Sequence, residues 1–412
     1  ATIEFRVRGI VRRRLANGKQ HTMHLMKNIK LLSWFNFSYS FNLYYGIAII
    51  YFVQVTHSFL LGISILSITQ IADAFFEIPT GMYSDRIGRK ICIIIGSIAQ
   101  VFAVVFYALG HFYVILAIGA VLEGLAAALY SGNNDALLYE SLAVTGDEQN
   151  YHEHYGNVTS MLSFSAAVAV VLGAIIAYWS FPLALWLSVF PQLLCVFIAF
   201  QFIEPPVRRK QTESIFIHIR EALRSLITNR KLRLLSIAGI MDVSIGSVSL
   251  RFRPAFYQTL WPVWAIGFAR VIQYSGQAVS FRVSGTILNK FRAIKVMIFN
   301  KSISSAVALL ALLFPTGASP VLLSSTGFLY GPYAVASNTL LQREFTDQQR
   351  ATMASINSLL GSILFAIFGA IFGIFADRVG PAISLLIAQI FLLPTIFIYW
   401  LVFYVEKQHQ TI

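Results

Sequence analysis

After Lys30 the chain falls into apolar runs at 31–54, 59–82, 91–111, 113–135, 157–179, 182–203, 233–255, 263–288, 295–315, 318–341, 352–376 and 380–404. Each is close to the roughly 20 residues that a helix needs to cross the hydrocarbon core of a bilayer. No water is available there, so a spanning backbone must satisfy its own N–H and C=O groups, which a helix does. The fold class predicted is therefore an all-α integral membrane protein of twelve transmembrane helices. A soluble fold is excluded by composition: charged residues make up 12% of the 412, where a soluble domain carries about 25%.

Lys and Arg set the orientation. With the N-terminus in the cytoplasm, the loops on that side hold 25 of the 31 basic residues, the bias that places both termini inside. The net charge of +13 is thereby explained without nucleic acid as a partner. The chain is expected in the cell (inner) membrane, in contact with membrane lipids. Cys92 and Cys195 both lie in apolar runs and read as small hydrophobes.

The longest polar interval divides the runs six and six. It defines a basic N-terminal extension (1–30), an N-terminal six-helix bundle (31–203), a cytoplasmic linker (204–232), a C-terminal six-helix bundle (233–404) and a short tail (405–412). Residues 1–25 stand ahead of the fold. In the linker Ile215, Phe216, Ile219, Leu223, Leu226 and Ile227 recur at helical spacing opposite Arg220 and Arg224, the pattern of an amphipathic helix lying on the membrane or packed beneath the bundles. The halves echo each other. Gly81-Met82-Tyr83-Ser84-Asp85-Arg86 after run 2 is matched by Gly285-Thr286-Ile287-Leu288-Asn289-Lys290 after run 8, and Gly173-Ala174-Ile175-Ile176 by Gly369-Ala370-Ile371-Phe372. Two pseudo-symmetric bundles are implied.

Gly81-Met82-Tyr83-Ser84-Asp85-Arg86-Ile87-Gly88-Arg89-Lys90 resembles the loop between the second and third spans of the major facilitator superfamily, G-x-x-x-D-R-x-G-R-K/R. The resemblance covers about 26–404, with Gly285, Asn289 and Lys290 as a degenerate second copy. It implies a secondary active transporter whose halves rock around a midplane site, working as a monomer. Gly81 is expected to let helices approach closely, Gly88 to form a tight turn, and Asp85 to meet the positive N-terminal end of a helix of the other half, span 11. Arg86, Arg89 and Lys90 would bind anionic lipid or nearby acids, completing a cytoplasmic latch. The chain departs from the superfamily's drug and proton antiporters: four residues before Gly124 stands Ala120 where they usually carry Arg, and residues 161–179 lack proline.

An ionisable residue at membrane depth is a functional candidate by default. Glu123, near the middle of its span, is the first candidate for proton coupling, with Asp73 and Asp242 assisting; Glu77 stands one turn from Asp73. The substrate cavity is expected among Asn36, Tyr39, Asn42 and Tyr45 of span 1, Glu123 of span 4, Arg270 of span 8, and Tyr330, Tyr333 and Asn338 of span 10. Arg251 and Arg253 are expected to snorkel to the interface, and Pro332 to break or bend span 10. The acidic loop with Glu140, Asp147, Glu148 and Glu153 is expected to pair with the basic linker.

An aromatic and nearly neutral cavity favours efflux of a hydrophobic or amphipathic compound driven by the proton gradient. Uptake or uniport of a sugar or organic anion is the alternative. A membrane-embedded enzyme or lipid scramblase is a further class, but no nucleophile motif, Walker loop or metal-ligand spacing is found, His152-Glu153-His154 included. No enzyme activity, cofactor or metal is implied.

Overall fold

The computed structural model describes residues 26–206, 228–344 and 347–409. The extension 1–25 and the expected amphipathic helix of the linker lie outside the described residues. Among the described residues every regular element is a helix, and the helices group into twelve rods. These are α1a (26–40) with α1b (Ala48–Thr56), α2 (Phe59–Ile87), α3 (Arg89–Leu109), α4a (Tyr113–Tyr130) with α4b (Asn133–Thr145), α5 (Tyr151–Trp179) and α6 (Phe181–Gln201). In the second half follow α7 (Arg230–Gln258), α8 (Val263–Lys290), α9 (Ala293–Leu313), and α10a (Ser319–Ser325) with α10b (Gly327–Glu344). A final run, Asp347–His409, is divided by Gly380 at φ +84° into α11 (347–379) and α12 (381–409). Eight stretches are long and apolar enough to cross a membrane, one of them covering α11 and α12 together; α1, α8 and α10 fall short.

Starts and stops follow local chemistry. The hydroxyls of Ser58 and Ser180 and the side-chain carbonyl of Asn229 accept the N–H of the third residue into α2, α6 and α7, the N-cap that satisfies an orphan donor. Gly88 joins α2 to α3 at φ +95°, a conformation that disfavours a side chain. The Glu204 carboxylate occupies the space a Cβ would need there and accepts the N–H groups of Arg89 and Lys90, both at 2.7 Å. The turn expected at Gly88 is thus present. At Gly81 a Cβ would meet nothing within 4 Å among the described residues.

Span 1 is not the continuous helix that its apolar run suggests. Residues 41–47 are unwound between α1a and α1b, and unwound backbone at membrane depth must find partners within the protein. Ser188 Oγ of α6 accepts the Leu43 N–H at 3.0 Å. Gln192 Nε2 donates to Asn42 Oδ1 at 3.1 Å and, more loosely, to the Ser38 and Tyr39 carbonyls. Ser165 of α5 donates to the Phe37 carbonyl. Gly173 gives the segment room: a Cβ on it would stand 1.7 Å from the Leu43 carbonyl oxygen.

Span 10 is interrupted at Thr326, and Pro332 sits inside α10b without ending it. The interruption lies where Gly327 meets the Gln273 backbone and Gly331 meets Ser280 and Phe281 of α8. This Gly-x3-Gly face lets two backbones close up, and that packing, rather than proline, positions the break.

Each half packs on itself, α2, α3, α4 and α6 in the first, α7 to α12 in the second. The halves meet along α2 with α11, α5 with α8, and α1b with α7. Gly369 and Gly373 of α11 lie against Ile63 and Leu60, and Gly267 of α8 against Val170 and Val171. Gly373 against Leu60 lies near the end of the molecule opposite the 81–90 loop. At that end Asp377 of α11 accepts from the Ser58 hydroxyl at 2.7 Å and from the N–H groups of Phe59 and Leu60, the first residues of α2.

Candidate functional site

Between the halves lies a cavity of about 360 Å³, walled by Tyr39, Tyr45, Thr69, Asp73 and Glu123 on one side and by Arg251, Arg270 and Tyr274 on the other. Four sequence candidates, Tyr39, Tyr45, Glu123 and Arg270, are brought together here with Asp73.

Glu123 is 5% exposed and is held by four hydroxyls. Tyr44 and Tyr45, both in the unwound segment, donate to Oε1 at 2.9 and 2.8 Å. Tyr107 of α3 donates to Oε2 at 2.7 Å and Thr69 of α2 at 3.3 Å. A carboxyl group offers about four acceptor sites, and the four hydroxyls fill them. The unwinding of span 1 delivers two of the four donors, since adjacent residues on a helix cannot point at one atom. Gly124 lets α4a close on α2, where a Cβ would meet the Thr69 carbonyl and the Asp73 N–H. Asp73 is half-buried in the wall, with no hydrogen bond or ion pair among the described residues.

Arg270 is 7% exposed. It donates to the Leu250 carbonyl at 2.9 Å and to Gln273 Oε1 at 3.4 Å, and its buried Nε has no partner. Arg251 also faces the cavity and is within electrostatic reach of Tyr45 and Tyr107, so it does not snorkel outward. Arg253 turns to the Leu323 carbonyl at 3.1 Å. The cavity walls thus hold two acidic and two guanidinium side chains, charge-bearing groups of both signs whose formal charges balance.

The other expected lining residues sit elsewhere. Asn42 is spent on the unwound backbone, donating to the Tyr39 carbonyl at 2.8 Å, and Asn36 is buried outside the lining. Tyr330 is exposed and edge-on to Phe281; Asn338 is exposed beside Gln342. Tyr333 belongs to a second cluster inside the C-terminal half. There Asp242 accepts from Lys301, from Tyr333 and, at 2.7 Å, from Tyr399, uniting α7, α9, α10b and α12 away from the cavity. Lys301 is a residue that sequence reasoning misses. An intramembrane Lys two spans from an intramembrane Asp is the available signal, because such charges pair.

In the 81–90 loop the side chain of Asp85 is outside the described residues, and Arg86 is exposed. Arg89 is buried, bonding Ser84, Asn133 at 3.3 Å and Glu140 at 3.5 Å, so Glu140 pairs with this loop, and the basic cluster of the linker lies outside the described residues. In the second copy Gly285, like Gly81, has nothing within 4 Å of a Cβ among the described residues, and Asn289 and Lys290 are exposed at the end of α8. His154 bonds Asp147 at 2.9 Å and, with Asn150, holds that carboxyl below its usual range. Among the described residues no three metal-ligating side chains cluster.

The family model of the Major Facilitator Superfamily matches residues 31–369. An MFS-type transporter of Bacillus subtilis strain 168, YxaM, is 23% identical over 396 residues, covering 88% of this chain and 94% of its own. Among solved structures, a mutant form of the nucleoside transporter NupG superposes with TM-score 0.80 at 15% identity over 92% of this chain and 100% of its own. A D-xylose-proton symporter does so with TM-score 0.66 at 14% identity over 90% and 97%. Two helical halves with a cavity between them, the 81–90 loop, and a family match over most of the length agree that this chain belongs to the major facilitator superfamily.

Proposed function

We propose that the chain is a proton-coupled secondary transporter that moves a small organic solute by rocking its two halves around the central cavity. The observation that carries this reading is Glu123 in its cage of Tyr44, Tyr45, Thr69 and Tyr107 at the cavity wall. Two of those donors sit on the one unwound stretch of span 1, so a change of proton at Glu123 changes what holds the unwound segment in place. Asp73, without a partner among the described residues and on the same wall, assists as the proton's way in. Asp242, held by Lys301, is assigned to the integrity of the C-terminal half.

The aromatic faces of Tyr39, Tyr45 and Tyr274 support efflux of an amphipathic compound. Arg251 and Arg270 support the second reading, uptake of a solute with an anionic group. The transporter acts as a monomer in the cell membrane, and the Lys and Arg distribution supports placing both termini in the cytoplasm.

Purified protein in liposomes, challenged with amphipathic amines, sugars and organic anions on either side, tests the proposal. Solute-driven proton movement is expected in the wild type and is expected to vanish in Glu123→Gln. Flux that survives the substitution removes Glu123 from coupling; the side on which solute must be added assigns the direction.

A further inference from the structure

The cavity has carboxylates on one half of the molecule and guanidiniums on the other, and they do not pair with each other. Among the described residues neither Asp73 nor Glu123 has a cation within ion-pair distance, and neither Arg251 nor Arg270 has a carboxylate. A buried charge inside a membrane protein is costly unless compensated. Arg270 donates to the Leu250 carbonyl and Gln273 rather than to Asp73, and among the described residues its buried Nε has no acceptor. Glu123 is saturated by hydroxyls, whereas Asp73 has no bond of its own.

We propose that the solute is a small zwitterion, seated with its anionic group on Arg270 and Arg251 and its cationic group on Asp73. Such a molecule compensates both walls at once and stays neutral overall, so its entry adds no net charge to a low-dielectric site. The rings of Tyr39, Tyr45 and Tyr274 then face the part between its charges. Because the two charged walls belong to different halves, only a solute carrying both groups bridges them. This inference rests on the cavity being the transport site and specifies what the site selects.

The test is binding to the purified full chain, read by thermal shift and equilibrium dialysis. The probes are glycine, leucine and phenylalanine, each as the free zwitterion, the N-acetyl acid (anion only), the amide (cation only) and the N-acetyl amide (neutral). In at least one series the zwitterion is expected to bind about tenfold or more tighter than either singly charged form, the effect of one charge-assisted hydrogen bond in a desolvated site. Arg270→Gln is expected to abolish the preference, and Asp73→Asn to make the N-acetyl acid bind as well as the zwitterion. Arg270→Lys, with a monodisperse elution profile, controls for folding and is expected to retain measurable zwitterion binding. The inference is overturned if no series favours its zwitterion, if anion-only forms bind equally well to the wild type, or if Arg270→Gln binds unchanged. Proton flux in liposomes fails or holds separately: flux driven by singly charged solutes without zwitterion binding sinks this inference alone, and zwitterion binding without any solute-driven flux sinks the transport reading.

Discussion

The carboxylate of Asp377, at the end of α11, accepts the hydroxyl hydrogen of Ser58, the N-cap residue of α2, at 2.7 Å, and takes the N–H groups of Phe59 and Leu60 as well. An acid from one half thus caps a helix of the other and meets the positive end of its dipole. The sequence suggests the reciprocal arrangement, with Asp85 at the start of span 11. At the opposite end of the molecule the structure shows the same chemistry with the partners exchanged.

Losing such a cap costs about 1 kcal/mol, enough for a severalfold shift between two states of comparable energy. Asp377→Ala is therefore expected to move the population toward separation of the halves at this end. Spin labels at His111 and Thr316, both exposed there, should show a longer distance component than in the wild type. Both native cysteines are buried, so they compete little for the label. An unchanged distance distribution would deny Asp377 any role in holding that end shut.

Gly173→Ala is expected to be far worse than an ordinary core substitution. Its Cβ would stand 1.7 Å from the Leu43 carbonyl oxygen, so the unwound segment must move and take Tyr44 and Tyr45 with it. Solute-driven proton flux should be lost even where the protein still elutes as a single species. Full activity would show that the segment tolerates displacement.

Lys301→Met leaves Asp242 buried with two tyrosines and no cation, and removing one partner of a buried pair typically costs roughly 3–5 kcal/mol. A large fall in the thermal unfolding midpoint is expected. The double variant Lys301→Met/Asp242→Asn should regain most of it, because an uncompensated charge is then no longer buried. Equal loss in both variants would mean that packing, not charge, is what Lys301 supplies.

Glu344 closes α10b beyond its apolar run, bonded to Lys231 at 2.9 Å and Asn229 at 3.0 Å. Partial burial alone would raise its pKa, but the bonds from Lys231 and Asn229 outweigh it and hold the carboxyl below its ordinary range. Its folded value is thus below the unfolded one, about 4.3, so the stabilisation is fully present above that value and lost as pH falls through the folded one. Glu344→Gln should lower the unfolding midpoint at neutral pH, with the gap to wild type closing in acid. A gap independent of pH would exclude ionisation as its source.

The apolar runs carry most of the fold legibly, because a bilayer imposes length and hydrophobicity on each rod separately. Glu123 is equally legible, as a lone charge at depth. The break in span 1 is not, since residues 41–47 contain neither proline nor an unusual run of polar groups; what unwinds them is Ser188, Gln192 and Gly173, more than a hundred residues away. Tyr44 escapes a reading of the sequence for the same reason. The roles of Tyr333 and Arg251 depend on which way a helix is rotated in its bundle, and an apolar run with little periodicity leaves that rotation open.

The carboxylate of Glu204 has a mechanical meaning as well. Clasped to the start of α3, and with Ile203 bonded through its N–H and carbonyl to Asn28, it is a mooring post where the chain leaves the first half. Asn229, bonded to Glu344, is the post where the chain rejoins the second. Each post is bonded within its own half, one at the end of α6 and one at the start of α7. Lengthening or shortening the tether should alter how far the two halves can swing while leaving the Glu123 cage and the Asp242 cluster untouched.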